Sequence, residues 1–149
     1  MKKYITIFFL VTSMTSCYKE NEVVPDVLVS KGKIANISVF WAGPTRLTTT
    51  VTVDAASQVP VTMEYISEEV VKEFRLYSRN GTTGTFVLLT TIPFASAGVK
   101  YDDRLRNNVA TFNVVAPSAK NATTQFAAEV VTTNDLLSAQ RTVTVKSKP

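Results

Sequence analysis

From about residue 34 onward the chain is written in short alternating segments separated by turn residues, the pattern of strands with one face on a core. Ile34 to Trp41 alternates, with Ile37, Val39 and Trp41 assigned to one face, and Gly43-Pro44 ends the run. Leu47, Thr49, Val51 and Val53 alternate with Thr48, Thr50, Thr52 and Asp54, a polar set expected to meet water. Val59, Val61, Met63 and Tyr65 form a third set. Pro60 lies inside it and predicts an edge strand or a late start. Glu68 to Ser78 is ambiguous: Ser67 to Glu73 can open a helical turn. Val70-Val71 and Phe74 to Tyr77 favour a strand instead, with Asn80-Gly81 as a hairpin turn. Thr85 to Ile92 is the returning strand. Val99 to Leu105 reads as a loop or short strand, and Val109 to Val115 as a strand stopped by Pro117. Thr123 to Thr132 and Leu137 to Lys146 pair around Asn134-Asp135, with Phe126, Ala128 and Val130 expected to face Val143 and Val145 across the core. No long segment has a helical period.

The first residues follow another rule. Lys2 and Lys3 precede the apolar run Tyr4 to Val11, and Thr12 to Ser16 lead in small, mostly polar steps to Cys17. A membrane-spanning helix needs about 20 apolar residues, so the run is too short to cross. It has the layout of a secretory signal peptide. The alternatives are a buried first strand of a cytosolic domain, or ordinary signal cleavage that leaves Cys17 a free thiol. Met14-Thr15-Ser16-Cys17 resembles the lipobox of bacterial lipoproteins, with Met14 where Leu is usual. The resemblance implies removal of residues 1–16 and acylation of Cys17, whose two or three chains would hold the protein firmly in a membrane. Residues 17–31 then form the acylated Cys and a tether, and residues 32–149 the domain. Tyr18 to Glu22 is similar to the acidic surface-export tether of Bacteroidetes-type lipoproteins, and reads equally as a solvated linker.

Composition narrows the picture. Without its first 16 residues the chain of 149 keeps 133, enough for one domain with a real core. The formal charge of +4 falls to +2 when Lys2 and Lys3 leave, and the basic residues are scattered, so nucleic acid is not an expected partner. Abundant valine and threonine favour strands. Seven or eight such strands at this spacing predict an all-β fold, an antiparallel β-sandwich. The last pair, Phe126 to Val145, resembles the closing strands of bacterial immunoglobulin-like and cadherin-like modules, and the resemblance extends over residues 47–146. The whole chain looks like a small Bacteroidetes-type lipoprotein with one such domain. That resemblance implies an outer-membrane location, on the surface or periplasmic face, and a role in glycan uptake or adhesion.

Candidate chemistry is sparse. The chain contains no histidine and one cysteine, Cys17, which excludes His-based triads and His/Cys zinc sites. There is no phosphate loop, and no cofactor is expected. The adjacent pairs Glu68/Glu69 and Asp102/Asp103 point to opposite faces if extended and cannot each flank a glycosidic bond. They read as solvated loop charges. Calcium at Asp102 and Asp103, with Asn107 and Asn108 nearby, is a second reading that lacks a full ligand set. Aromatic rings suit stacking on sugars. Trp41, Tyr77 and Tyr101 are the candidate ligand-binding residues, with Tyr65 behind them. Trp41 also reads as a core residue, and Glu73 and Arg75 share the face of Tyr77. The expected function is a non-catalytic envelope module that binds glycan or protein. The alternatives are a structural or adhesive subunit assembling by strand addition, with Val59 to Ile66 as the edge, and a carboxylate-only glycoside hydrolase.

Overall fold

The computed structural model describes residues 34–149. The expected signal peptide, Cys17 and the expected tether lie outside the described residues. Nine strands form: β1 (Ala35–Ala42), β2 (Thr50–Val53), β3 (Gln58–Ser67), β4 (Val71–Asn80), β5 (Val87–Pro93), β6 (Lys100–Asp102), β7 (Asn107–Val115), β8 (Thr123–Thr132) and β9 (Arg141–Ser147). The three-residue β6 is the segment that the sequence left as loop or strand. The ambiguous stretch after Ser67 becomes a strand. A single 3-10 turn, Phe94–Ser96, follows β5.

The strands build two sheets, β1-β3-β7-β6 and β2-β9-β8-β4-β5. Every pairing is antiparallel except β2 with β9, which run parallel from Thr50 opposite Thr144 to Val53 opposite Ser147. Inward residues of both sheets make one core. Ile37, Val59, Val61, Met63 and Tyr65 from the first sheet meet Phe74, Leu76, Val130, Val143 and Val145 from the second, all 1% exposed or less. Phe74 is the hub. Its ring lies 5.4 Å from Tyr65 edge-on, 5.5 Å from Phe112 and 6.2 Å from Phe94. Burial pushes the Tyr65 phenol up to about 12.

Three expectations are corrected. The register of β1 against β3 slips between Ile37 and Val39, so Ser38 is a bulge residue. An extra residue in one strand reverses which side chains face inward. Phe40 and Ala42 therefore join Ile37 in the core, while Val39 and Trp41 turn to the outer face. Secondly, β3 is an inner strand between β1 and β7, not an edge. Pro60 is tolerated because its carbonyl accepts from the Gly43 N–H at 2.8 Å, where β1 has just ended. In a strand N–H and C=O of one residue point the same way, so the missing donor falls where no ladder partner remains. Gly43 itself has φ +80, which lets the chain leave β1 at that point. Thirdly, Phe126 pairs laterally with Val143 within one sheet, so β8 and β9 are neighbours and what they face is the other sheet.

Candidate functional site

The outer face of the first sheet carries a polar row that strand register assembles. Trp41, Thr62 and Thr111 lie side by side on β1, β3 and β7. The next row is Val39, Glu64, Val109 and Lys100. Asn107 and Asp102 pair beyond it. Thr62 and Thr111 share a 3.0 Å hydrogen bond.

Glu64 is a carboxylate with its side chain only 2% exposed. Arg46, from the loop after β1, donates to both its oxygens, Nε at 2.6 Å and Nη2 at 2.7 Å. This fork satisfies a charge that would otherwise be costly in a sheet centre. The Arg46 hydrogen bonds hold the Glu64 carboxyl below its ordinary value against the opposing pull of burial, and Asn107 adds a further hydrogen bond. Arg46 and Glu64 were not singled out from the sequence. The available signal was a lone acid occupying the polar slot of an otherwise apolar alternating set.

Beside this row, at the short strand β6, lies an open cleft of about 800 Å³. Gly98, Lys100, Tyr101, Asp103, Arg104 and Thr111 are among its walls. Strand β6 begins only at Lys100, opposite Val109, which leaves Thr111 of β7 without a strand partner on the cleft side. Asp102 shapes the far wall by accepting the Leu105 N–H at 2.9 Å, and Arg106 follows with φ 54 to complete the turn. Lys100, Asp103 and Arg104 form no ion pair among the described residues. Their polar groups are thus open to a ligand.

The three aromatic candidates fall in different places. Trp41 is 9% exposed and lies on the outer face of β1, outside the main core cluster. Tyr77 is half-buried on the outer face of the second sheet, where its hydroxyl donates to Glu129 Oε2 at 2.6 Å. Gln140 Nε2 holds the other Glu129 oxygen at 2.9 Å. Burial, with the Glu129 contact second, raises the Tyr77 phenol above its ordinary value. Tyr101 is 58% exposed and stands at the cleft. Tyr65 is in the core. Structure therefore does not bring the aromatic candidates together.

The acidic pairs are also separated. Glu69 belongs to the turn before β4, where its Oε1 accepts from the Val70 N–H and the Thr133 hydroxyl. Among the described residues no three Asp, Glu, His or Cys side chains gather as metal ligands. Lys100, Arg104 and Arg106 surround Asp102 and Asp103 in sequence, a setting that disfavours a divalent cation.

No family model matches the sequence, and no curated protein matches it. Solved structures match the architecture. A Niemann-Pick type C2 protein from the Japanese carpenter ant superposes with a TM-score of 0.50 at 13% identity, covering 79% of this chain and 96% of that one. The fold is an immunoglobulin-like β-sandwich. A family 76 glycoside hydrolase from a bovine Bacteroides thetaiotaomicron strain matches with a TM-score of 0.46 at 12% identity, over 77% of this chain. The chain spans only 21% of that hydrolase. Murine CRIg matches at 0.37 and 7% identity, over 77% of this chain and 97% of its own.

Proposed function

We propose that this chain is a non-catalytic saccharide-binding module, tethered to the cell envelope through a lipid on Cys17. The observation that carries the binding reading is Tyr101, an exposed ring at an open cleft whose Lys100, Asp103 and Arg104 groups form no ion pair among the described residues. A sugar offers an apolar ring face to an aromatic side chain and hydroxyls to charged groups of both signs. The opposing charges at the cleft favour a neutral saccharide over a strongly charged one. Acid–base hydrolysis would need two free carboxylates across a bond. At the cleft Asp102 accepts the Leu105 N–H and only Asp103 of the two acids there is without a partner among the described residues, while Glu64, Glu73 and Glu129 are each held by partners, which supports binding without reaction. The Cys17 context supports the anchor, and mass spectrometry of the mature N-terminus reads it directly.

Affinity electrophoresis against a panel of soluble neutral and acidic polysaccharides tests the cleft. At least one neutral polysaccharide should retard the protein, and Tyr101→Ala should weaken that retardation roughly tenfold, the worth of one stacked ring. Absence of retardation by every polysaccharide, or full binding by Tyr101→Ala, overturns the reading.

A further inference from the structure

Strand β7 pairs with β3 from Asn108 opposite Tyr65 to Val115 opposite Gln58. On its other side β6 covers only Asn107 to Val109. Residues Ala110 to Val115 therefore form a second, unlabelled edge of the first sheet. The hydrogen bonds fix which of their main-chain groups are free. The Ala116 N–H is donated toward β3, to Ser57 O at 2.9 Å. Main-chain groups of successive strand residues point alternately to the two sides. Ala110, Phe112 and Val114 thus face β3, while Thr111, Asn113 and Val115 present N–H and C=O outward. No hydrogen bond among the described residues uses those six groups. Folded proteins ordinarily blunt such an edge with charge, proline or cover. Ala110 to Val115 contain neither a charge nor a proline, and Thr111, Asn113 and Val115 are exposed.

Two features beside this edge define what fits it. At the Val115 end a hollow of about 430 Å³ opens between the two sheets, lined by Ser78, Leu89, Thr90, Val114, Val115 and Phe126 among others. At the Thr111 end stands Lys100, opposite Val109, exposed and without an ion pair among the described residues.

We propose that the Ala110–Val115 edge docks an extended segment of a partner protein, added antiparallel to β7 along the line that β6 begins. The free main-chain groups select a polypeptide, because a strand returns N–H and C=O at the same spacing. Antiparallel pairing is the stronger of the two directions and continues that of β6. It also fixes the sequence recognised. The incoming residue opposite Val114 points inward, into the hollow, which takes a large apolar side chain. The residue opposite Thr111 comes three positions later. It points to the outer face, about 7 Å along the line from Lys100, where a carboxylate meets its opposite charge. The segment is therefore a large apolar residue, two residues of any kind, then Asp or Glu. The open edge of a second copy does not supply it, since β5 carries no acid. Main-chain bonds provide the affinity, and the hollow and Lys100 the selectivity. The inference does not rest on the saccharide reading. Thr111 and Lys100 wall both sites, but the edge acts through the main chain of β7 and the saccharide through the Tyr101 ring.

Linear nine-residue peptides displayed on phage and selected on the full chain are the probe. Enriched peptides should share a large apolar residue followed three positions later by Asp or Glu. A synthetic copy should protect the Thr111, Asn113 and Val115 amides from hydrogen exchange. Asn113→Pro removes a free N–H opposite Pro60, outside the β3 ladder, and should weaken the peptide about tenfold in fluorescence anisotropy at an unchanged urea midpoint. Leu89→Lys, at the mouth of the hollow, should weaken it as much while leaving the edge intact. Lys100→Gln should erase the preference for the acidic peptide over its amide counterpart. Four results overturn the proposal: no enriched peptide, the acid preceding the apolar residue, binding that Asn113→Pro and Leu89→Lys both leave unchanged, or protection of the same amides by raised protein concentration alone, which assigns the edge to a second copy.

Discussion

Replacing Glu64 with glutamine isolates the buried ion pair without changing its shape. In the native protein both Glu64 oxygens accept from Arg46, at 2.6 and 2.7 Å. In Glu64→Gln one oxygen becomes an NH2 group facing a guanidinium that can only donate, so one bond becomes a donor–donor conflict and the other loses its charge. A hydrogen bond to a charged group contributes about 1.5–3 kcal/mol. Arg46 is 42% exposed and its freed donors can turn to water, which sets the net cost at about 2 kcal/mol. Two kcal/mol corresponds to a shift of about 1 M in the urea midpoint. Trp41, the only tryptophan, occupies the adjacent row of the same face and reports the transition by its emission. The difference should depend on pH. The carboxyl of Glu64 is held below its ordinary value of 4.5 in the folded state, chiefly by Arg46. Its contribution is complete above that ordinary value and is lost as pH falls through the lower folded one. The gap between native and Glu64→Gln proteins should be full at pH 7 and shrink in acid below about 4.5. A midpoint shift under about 0.3 M at pH 7, or one of equal size at pH 3 and pH 7, refutes the reasoning.

Two further substitutions probe the two sides of the second sheet. Phe74→Ala removes the ring that Tyr65, Phe112 and Phe94 surround and should cost about 4 kcal/mol, read as a fall in the calorimetric transition temperature. Tyr77→Phe deletes the hydroxyl that donates to Glu129 and should cost about 1 kcal/mol, read as a lower midpoint in urea denaturation.

The strands were legible where burial follows the two-residue period without interruption. Strand β7 appears in the structure almost as the alternation of Val109 to Val115 draws it, whereas β8 keeps its expected bounds, Thr123 to Thr132, although every residue from Phe126 onward is buried. Periodicity fails where one residue is inserted. The bulge at Ser38 is invisible in Ile34 to Trp41, because Ile37-Ser38-Val39-Phe40-Trp41 alternates plausibly in either phase. Pro60 was misleading for a related reason: a proline excludes a ladder bond, but only on the side its nitrogen faces, and that side depends on where β1 ends. The Arg46–Glu64 fork joins residues 18 apart through a turn and a sheet register, information that no local pattern holds. Of the aromatic candidates, exposure decided among them, and exposure is a property of the finished surface. Tyr101 differs from Trp41 because β6 is short, not because its own neighbours in sequence are more polar.

The parallel pairing of β2 with β9 also governs when the molecule can exist. Thr50 pairs with Thr144, 94 positions later. At synthesis rates of about 5–20 residues per second, β2 waits roughly 5–20 s for its only sheet partner. Strand β1 waits as well, since its Ile37 carbonyl is covered by Arg141 of the same late strand. Loop closure over this distance comes before the contacts that reward it, which makes folding slow and ties it to the synthesis of β9. A ribosome stalled before Arg141 therefore holds a chain with β2 unpaired, the Ile37 carbonyl of β1 uncovered and Val143 and Val145 missing from the core. The seven residues of β9 act as the completion signal for the whole domain.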